Sequence, residues 1–202
     1  MSDQFSSSGP DAQPFDEIRI RKGKRALVAS ADSISIGEQV FRLDSVDRVF
    51  YRAAARINQA SYTIGLAQGE RKCTFMFDAY RRGSELEDAR ATWRQLVGLI
   101  QASVCPRIAE ESARRVLAGE TVTFGGPASS RIDADSQGLR PRRLFGKTVP
   151  WLQIANAEFA EGMVRIWSAS DGAVHEKPTM SVDMSGWNAV VLPEIVRHFA
   201  GR

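Results

Sequence analysis

The chain has 202 residues, of which 43% are hydrophobic and 25% are charged, and its formal net charge at pH 7 is +3. This composition is typical of a soluble globular protein, and the length allows one large domain or two domains of about 85 to 100 residues. No apolar run approaches the roughly 20 residues that a transmembrane helix needs. A net charge of +3 also produces only a weak electrostatic attraction to an anionic membrane surface.

The composition of the first residues indicates a segment that does not take part in the folded domain. Residues 1–16 are rich in Ser, Gly, Pro and Gln, and they lack both the basic start and the apolar core of a signal peptide. Residues 1–14 are therefore predicted to form a disordered tail. The absence of a signal sequence favours a cytoplasmic protein.

The folded part is predicted to begin at Phe15 with a β-hairpin. Apolar residues alternate with polar ones on both sides of Lys22-Gly23-Lys24, and a glycine suits the tip of such a hairpin. Further short strands are predicted at 33–36, 39–43, 46–51, 61–67 and 72–77. Short strands joined by short turns are typical of an antiparallel sheet or barrel.

An amphipathic helix is predicted to follow these strands. Ser84 and Glu87 have the spacing of a capping box, in which each side chain accepts a hydrogen bond from a backbone N–H at the helix start. Apolar residues then recur at spacings of three and four from Leu86 through Trp93 to Ile100. This stripe is predicted to lie against the sheet.

A proline predicts where this helix ends. Pro106 indicates a break near Cys105, and because proline is tolerated in a first helical turn, a second helix is predicted to run from there to Gly119. The two cysteines, Cys73 and Cys105, have neither a Cys-x-x-Cys metal motif nor the spacing of a disulfide framework. Both are predicted to be reduced structural thiols, which also favours the cytoplasm.

The second half is predicted to contain strands and a closing helix. The strands are predicted at 130–134, 138–142, 148–151, 155–159, 162–168 and 179–183. The closing segment, 187–199, contains Pro193, so the helix either kinks there or begins only after Leu192. The phase of apolar and polar residues around the proline favours a kinked helix.

The two halves repeat one order of motifs. An Ala-Asp-Ser tripeptide begins at Ala31 and again at Ala134, and in both halves alternating apolar strands and an amphipathic segment follow. A short-stranded β unit capped by one helix is typical of small binding modules. The repeat therefore predicts a binding protein and not an enzyme.

Three segments of the second half carry a resemblance to a known group of proteins. They are Leu-Ala-Gly-Glu-Thr-Val-Thr-Phe-Gly at 117–125, Ala-Asp-Ser-Gln-Gly-Leu at 134–139 and Val-Pro-Trp-Leu-Gln-Ile at 149–154. In this order they resemble uncharacterised actinobacterial proteins with tandem pleckstrin-homology-like domains. The resemblance is carried by residues from about 104 to the end, and it reaches the first half through the repeat.

The resemblance implies an α+β fold with two tandem pleckstrin-homology-like antiparallel β barrels, each closed by a C-terminal helix. The first unit would span residues 15–104, a connecting helix 105–119, and the second unit 120–202. The matching motifs are packing motifs, so they imply a fold and carry no functional residues.

Few residues of the chain could support catalysis or metal binding. His175 and His198 are the two histidines, and neither lies in a metal-ligand spacing. Residues 133–138 imitate the start of a calcium-binding EF-hand loop, but its twelfth position is Leu144 where a glutamate is required, so a polar turn is predicted. We therefore predict no catalytic residues, no metal site and no cofactor.

Basic residues are the candidate binding residues. One cluster crowds the first hairpin and comprises Arg19, Arg21, Lys22, Lys24 and Arg25. A second cluster lies early in the second unit and comprises Arg140, Arg142, Arg143 and Lys147. In the pleckstrin-homology superfold the early loops between strands bind anionic headgroups, so the resemblance implies an anion-binding role for these residues.

Nucleic acid is an unfavoured partner. A nucleic-acid surface would combine basic residues with exposed aromatic side chains. All four tryptophans instead fall on apolar phases and are predicted to be core residues, namely Trp93, Trp151, Trp167 and Trp187.

These observations predict a non-enzymatic intracellular adaptor or regulatory module that acts mainly through contacts with an unidentified protein partner. The partner is expected on a sheet edge or in the groove between an edge strand and the closing helix, where an extended peptide can add a strand. The alternative is a peripheral module that binds the headgroups of an anionic membrane surface through the basic loops.

Overall fold

All strand pairs in the described part of the chain are antiparallel, and helices pack against the sheets, so the fold is α+β as predicted. The computed structural model describes residues 17–126, 131–142, 146–170 and 172–200. The predicted tail, 1–14, lies outside these residues. Among the described helices, none combines the length and the apolar character needed to cross a membrane.

The first sheet is a four-stranded meander. Its strands are β1 (Ile18–Lys22), β2 (Arg25–Ala29), β3 (Ser33–Ile36) and β4 (Gln39–Arg42), and each pairs with the next. The turn between β1 and β2 places Gly23 at a φ of +58°, a left-handed conformation that favours glycine. The predicted hairpin is confirmed.

The second sheet has three longer strands, and it positions the candidate site. They are β5 (Arg48–Arg56), β6 (Gln59–Gln68) and β7 (Arg71–Tyr80), in the spatial order β5-β6-β7. The predicted strands at 46–51, 61–67 and 72–77 cover only part of them, because the alternation of polar and apolar residues stops before the strands do. β5 is an edge strand and extends beyond its predicted end to Arg56.

Two consecutive helices follow the second sheet. α1 (Glu85–Ser103) and α2 (Cys105–Leu117) are separated at Val104, so the break predicted from Pro106 is confirmed. The predicted capping box is wrong, because the Ser84 side chain makes no capping hydrogen bond. Ser84 has helical backbone angles, φ −83° and ψ −6°, whereas a capping serine normally has an extended backbone.

The second half also runs from a four-stranded meander through a second antiparallel sheet to a helix, but this second sheet has four strands where that of the first half has three. The meander comprises β8 (Val122–Gly125), β9 (Arg131–Asp135), β10 (Gly138–Pro141) and β11 (Val149–Pro150). The later strands are β12 (Ile154–Ala160), β13 (Met163–Ser170), the short β14 (Ala173–Val174) and β15 (Met180–Asp183). β13 pairs with the other three. All six predicted strands are found, whereas β8 and β14 were not predicted.

The last helix does not kink at its proline. α3 (Leu192–Ala200) begins at Leu192, after a single 3-10 turn at Ala189–Val191. The preferred prediction of a kinked helix over 187–199 is therefore wrong. Pro193 lies in the first turn of α3, where its missing N–H leaves no hydrogen bond unmade.

The core is continuous between the two halves. α2 was predicted as a connector, yet Ile108, Ala113 and Val116 are buried in the same apolar cluster as both sets of sheets, and α2 packs against α3. Across the described residues no sheet closes on itself. The barrels and the unit boundaries at 15–104, 105–119 and 120–202 therefore stay predictions.

Two of the four tryptophans depart from the predicted core positions. Trp93 and Trp151 are buried as predicted, whereas Trp167 and Trp187 are half-buried. Trp187 covers the joint between the halves, where its ring meets Phe50 edge to face with 4.9 Å between the ring centroids. Phe50 in turn lies over Gly65, where a Cβ atom would overlap its ring.

Candidate functional site

The first basic cluster lies on the β1–β2 hairpin, and part of it is engaged in packing. Arg21, Lys22, Lys24 and Arg25 are all exposed. Nζ of Lys22 lies 2.8 Å from Oδ2 of Asp78 on β7. The Arg25 guanidinium donates to the backbone carbonyl of residue 74 at 3.2 Å. Lys22 and Arg25 therefore hold the hairpin against β7.

The second basic cluster lies at the end of β10 and before β11. Arg140 is 3.7 Å from Oδ2 of the buried Asp133, so its charge is partly neutralised. Arg142 and Lys147 are exposed. Arg143 lies outside the described residues. The exposed cations that the sequence predicted for anion binding thus include Arg142 and Lys147 here, and Arg21 and Lys24 on the first hairpin.

A groove lies between the edge strand β5 and the helix α1. Its volume is about 460 Å³. It is lined by alanines and a tyrosine from the sheet and by one face of α1, namely Ala53, Ala54, Ala55, Ala60, Tyr62, Glu87, Arg90, Trp93 and Arg94. This is the kind of position that the sequence analysis predicted for a protein partner.

The groove exists because β5 carries small side chains beside the aromatic rings of Tyr62 and Trp93. Ala53 pairs with Tyr62 in the ladder between β5 and β6. The ring centroid of Tyr62 lies 5.2 Å from that of Trp93. Alanine methyl groups are too short to fill the space beside these rings, so an apolar recess remains. Burial raises the pKa of Tyr62, which keeps its hydroxyl protonated at neutral pH.

The outer edge of β5 is occupied at one end by the second half of the chain. Val49 N–H donates to Oδ1 of Asn188 at 2.8 Å, and Asn188 N–H donates to the Val49 carbonyl at 2.8 Å. Asn188 thus pairs with Val49 as a strand residue would. It adopts a left-handed backbone with a φ of 57°, which asparagine tolerates better than most residues.

The far end of this edge, at Ala53 and Ala55, is open in the described structure. In an antiparallel pair, alternate residues direct their N–H and C=O groups away from the partner strand. Because Val49 faces outward, Ala53 and Ala55 face outward as well, and both are exposed. No described strand pairs with this side of β5. Two N–H donors and two carbonyl acceptors therefore lie beside the apolar groove.

A second cavity lies at the joint between the halves, with a volume of about 430 Å³. Its lining includes charged residues that pair with one another or with a neighbour. Nε of Arg48 is 3.2 Å from Asp47 Oδ1, and Nε of Arg115 is 2.7 Å from Glu120 Oε2. Residues of both halves line this cavity, so it belongs to the contact between the halves. The two ion pairs neutralise much of the charge of its lining.

Among the described residues, no three His, Cys, Asp or Glu side chains converge on a point that could hold a metal ion. The predicted polar turn after β9 is present, since Asp135 Oδ1 accepts from the N–H groups of Gln137 and Gly138 at 2.8 and 3.3 Å. Cys73 and Cys105 are free thiols. Burial raises the pKa of Cys105 to about 12, so it is a protonated core residue at neutral pH.

Comparison with models of known protein families found no match, and a search among curated proteins found none either.

The sequence predicted the type of surface, a groove between an edge strand and a helix, but it did not identify the residues that form it. Because the predicted strand ended at 51, the alanines at 53, 54 and 55 were left outside it. A run of small residues on an edge strand, facing an aromatic residue on the next strand, is the signal that marks this groove. The basic residues, which the sequence made prominent, lie elsewhere in the fold.

Proposed function

We propose that this protein is a non-enzymatic adaptor of two pleckstrin-homology-like units, and that it binds an extended segment of a partner protein along β5. The observation that carries the proposal is the open edge of β5 beside the groove that α1 and the β5 alanines enclose. The order of a four-stranded meander, a second antiparallel sheet and a helix, which both halves share, supports the assignment of the fold.

Strand addition accounts for both features of this surface. The N–H and C=O groups of Ala53 and Ala55 supply backbone hydrogen bonds that do not depend on the partner's sequence. The recess beside Trp93 takes every second side chain of an added strand, because successive side chains of a strand point to opposite faces. Affinity then comes from the backbone, and selectivity comes from the recess.

Binding of anionic headgroups through the basic loops is the competing function. Lys22, Arg25 and Arg140 each contact a protein group, which reduces the charge available to a membrane. The net charge of the whole chain is only +3. Both observations favour the protein partner.

The experiment starts from a displayed library of random nonapeptides selected against the intact protein. One selected peptide is labelled with fluorescein, and its affinity is measured by fluorescence anisotropy. The peptide is then N-methylated at one residue at a time. An added strand uses only alternate N–H groups, so methylation should weaken binding at alternate positions and be tolerated between them.

A protein variant gives the reciprocal measurement. Ala55→Pro removes an outward-facing N–H, and proline is tolerated on an edge strand where that N–H faces solvent. We expect the variant to remain folded by circular dichroism and to lose most of its affinity. The absence of any selected peptide, or equal tolerance of methylation at every position, would overturn strand addition. The methylation series needs no variant, so it decides the matter even if Ala55→Pro fails to fold.

A further inference from the structure

The charged residues that α1 places along the rim of the β5 groove carry more positive than negative charge. α1 contributes one acidic residue and two arginines to the lining, namely Glu87, Arg90 and Arg94. Nη1 of Arg90 lies 2.8 Å from Oε1 of Glu87, so these two charges balance each other. Arg94 follows Arg90 by one helical turn, is exposed, and makes no ion pair among the described residues. The rim therefore carries one uncompensated positive charge beside the recess.

The edge available to a partner is also short. Asn188 occupies the outward-facing groups of Val49, and β5 ends at Arg56 before the turn to β6. The outward-facing positions between these limits are 51, 53 and 55, because they follow Val49 at intervals of two. Tyr51 is buried, so only Ala53 and Ala55 are open to an added strand, which can pair over about three residues. So short a backbone contact leaves selectivity to the side chains beside the recess.

A second copy of this chain is a poor occupant of the edge. Two β5 strands paired through their open edges would bring the arginines of one α1 rim toward those of the other. Like charges brought together across an interface are unfavourable. The charge of the rim instead matches a partner that carries carboxylates.

Resting on the strand addition proposed above, we infer that the partner is an acidic extended segment of another protein. Its backbone pairs with Ala53 and Ala55, an apolar or small side chain enters the recess beside Trp93, and an aspartate or glutamate on the helix side meets Arg94. An arginine forms two parallel hydrogen bonds with a carboxylate, which gives this contact orientation as well as charge.

The test uses the nonapeptide pool selected on the wild-type protein and two charge-reversal variants. Arg94→Glu changes the rim. Lys72→Glu is the matched control, because Lys72 is an exposed cation of β7 paired with Ala67, at the end of the sheet opposite Ala53 and Tyr62. We expect the pool to be enriched in Asp and Glu. A labelled acidic peptide should lose about tenfold in affinity on Arg94→Glu and keep its affinity on Lys72→Glu.

The outcomes separate this inference from the proposal it rests on. A pool that loses binding on Ala55→Pro, yet shows no acidic enrichment and no response to Arg94→Glu, would overturn the acidic partner and leave strand addition intact. Equal losses on Arg94→Glu and Lys72→Glu would also overturn it, because the effect would then come from net charge alone. A pool insensitive to Ala55→Pro would overturn both.

One further probe tests whether the partner is another protein. Residues 1–16 of this chain contain Asp3, Asp11 and Asp16 and no lysine or arginine. Pro10 and Pro14 lie close to Asp11 and Asp16, and a proline has no N–H to donate to β5. A synthetic peptide of this sequence should therefore fail to displace the labelled peptide at tenfold excess. Displacement that is lost on Arg94→Glu would assign the groove to this chain's own first residues, and it would overturn the assignment to a separate partner.

Discussion

Asn188 holds both backbone groups of Val49, although the two residues lie 139 positions apart in the chain. Its side-chain oxygen accepts from the Val49 N–H, its own N–H donates to the Val49 carbonyl, and its side-chain nitrogen donates to the carbonyl of Asp47 at 3.2 Å. One residue of the second half thereby closes the first part of an edge that is open at its far end. It joins the halves and limits the length of the candidate site.

Replacing Asn188 should therefore loosen the joint. Asn188→Gly keeps the left-handed backbone accessible and removes the side-chain acceptor from the buried Val49. Leaving one buried N–H without a partner costs about 1–3 kcal/mol. We expect a decrease of this size in the free energy of unfolding, measured by urea denaturation. The control is Ser136→Gly, at an exposed turn position, and an equal loss in both variants would contradict the role of Asn188.

Trp93 lines the groove, and it should also stabilise the fold. It is 9% exposed and lies among Tyr51, Tyr62 and Phe77, with ring centroids 5.2 to 6.4 Å away. Truncation of a large aromatic side chain in a core costs about 3–5 kcal/mol, so Trp93→Ala should lower the free energy of unfolding by about that amount. The half-buried Trp167 is the comparison, and its alanine variant should lose less. An unchanged melting temperature in Trp93→Ala would show that the residue contributes only to binding.

Glu194 should make stability depend on pH. Burial raises the pKa of this carboxyl above 4.5, its value in the unfolded chain, and Arg197 opposes the shift. A raised pKa means that the folded state binds the proton more tightly, so the stability this group contributes is present below pH 4.5 and is lost as the pH rises through the folded pKa.

The variant Glu194→Gln tests this sign. At pH 7 the wild-type carboxyl is charged in a partly buried position, which is unfavourable, whereas the amide of Gln stays neutral at every pH. We therefore expect Glu194→Gln to have a higher melting temperature than the wild type at pH 7. The difference should shrink below pH 4.5, where both side chains are uncharged. Calorimetry at the two pH values provides the measurement, and a lower melting temperature for the variant at pH 7 would reverse the assignment.

If the protein is an adaptor, its basic loops should contribute little to binding of lipid vesicles. Arg142 and Lys147 are exposed, so the double variant Arg142→Glu, Lys147→Glu should fold normally. We expect little sedimentation of either protein with vesicles that contain phosphatidylserine at physiological ionic strength, where charges are screened over about 8 Å. Strong wild-type binding that falls with salt and disappears in the double variant would favour the membrane function instead.

Local features of the chain determined much of the secondary structure. The alternation around Gly23 gave the first hairpin, because side chains of a strand alternate between faces whatever covers them. The apolar stripe from Leu86 to Ile100 gave α1, and Pro106 gave the break after it. The prediction failed where the local signal was ambiguous, since Pro193 is compatible both with a kink and with a first helical turn.

The position of the candidate site could be predicted only as a type of surface. An edge strand beside a closing helix was expected, but its residues were not, because alanines at 53 and 55 give no strong strand signal. The basic residues are prominent in the sequence because the charge of a side chain follows from its residue type alone. Whether a given cation is free is decided by distant residues, as Lys22 shows by pairing with Asp78.

By itself, the sequence determined which faces of the strands and helices are apolar, the repeated order of elements and the break between α1 and α2. Only the tertiary structure decided which surfaces cover those faces. It placed Trp187 against Phe50 and Asn188 against Val49, and it left the edge at Ala53 and Ala55 open. The physical reason is that periodicity reports contacts within one element, whereas burial of an edge depends on residues far away in the chain, whose approach no local pattern encodes.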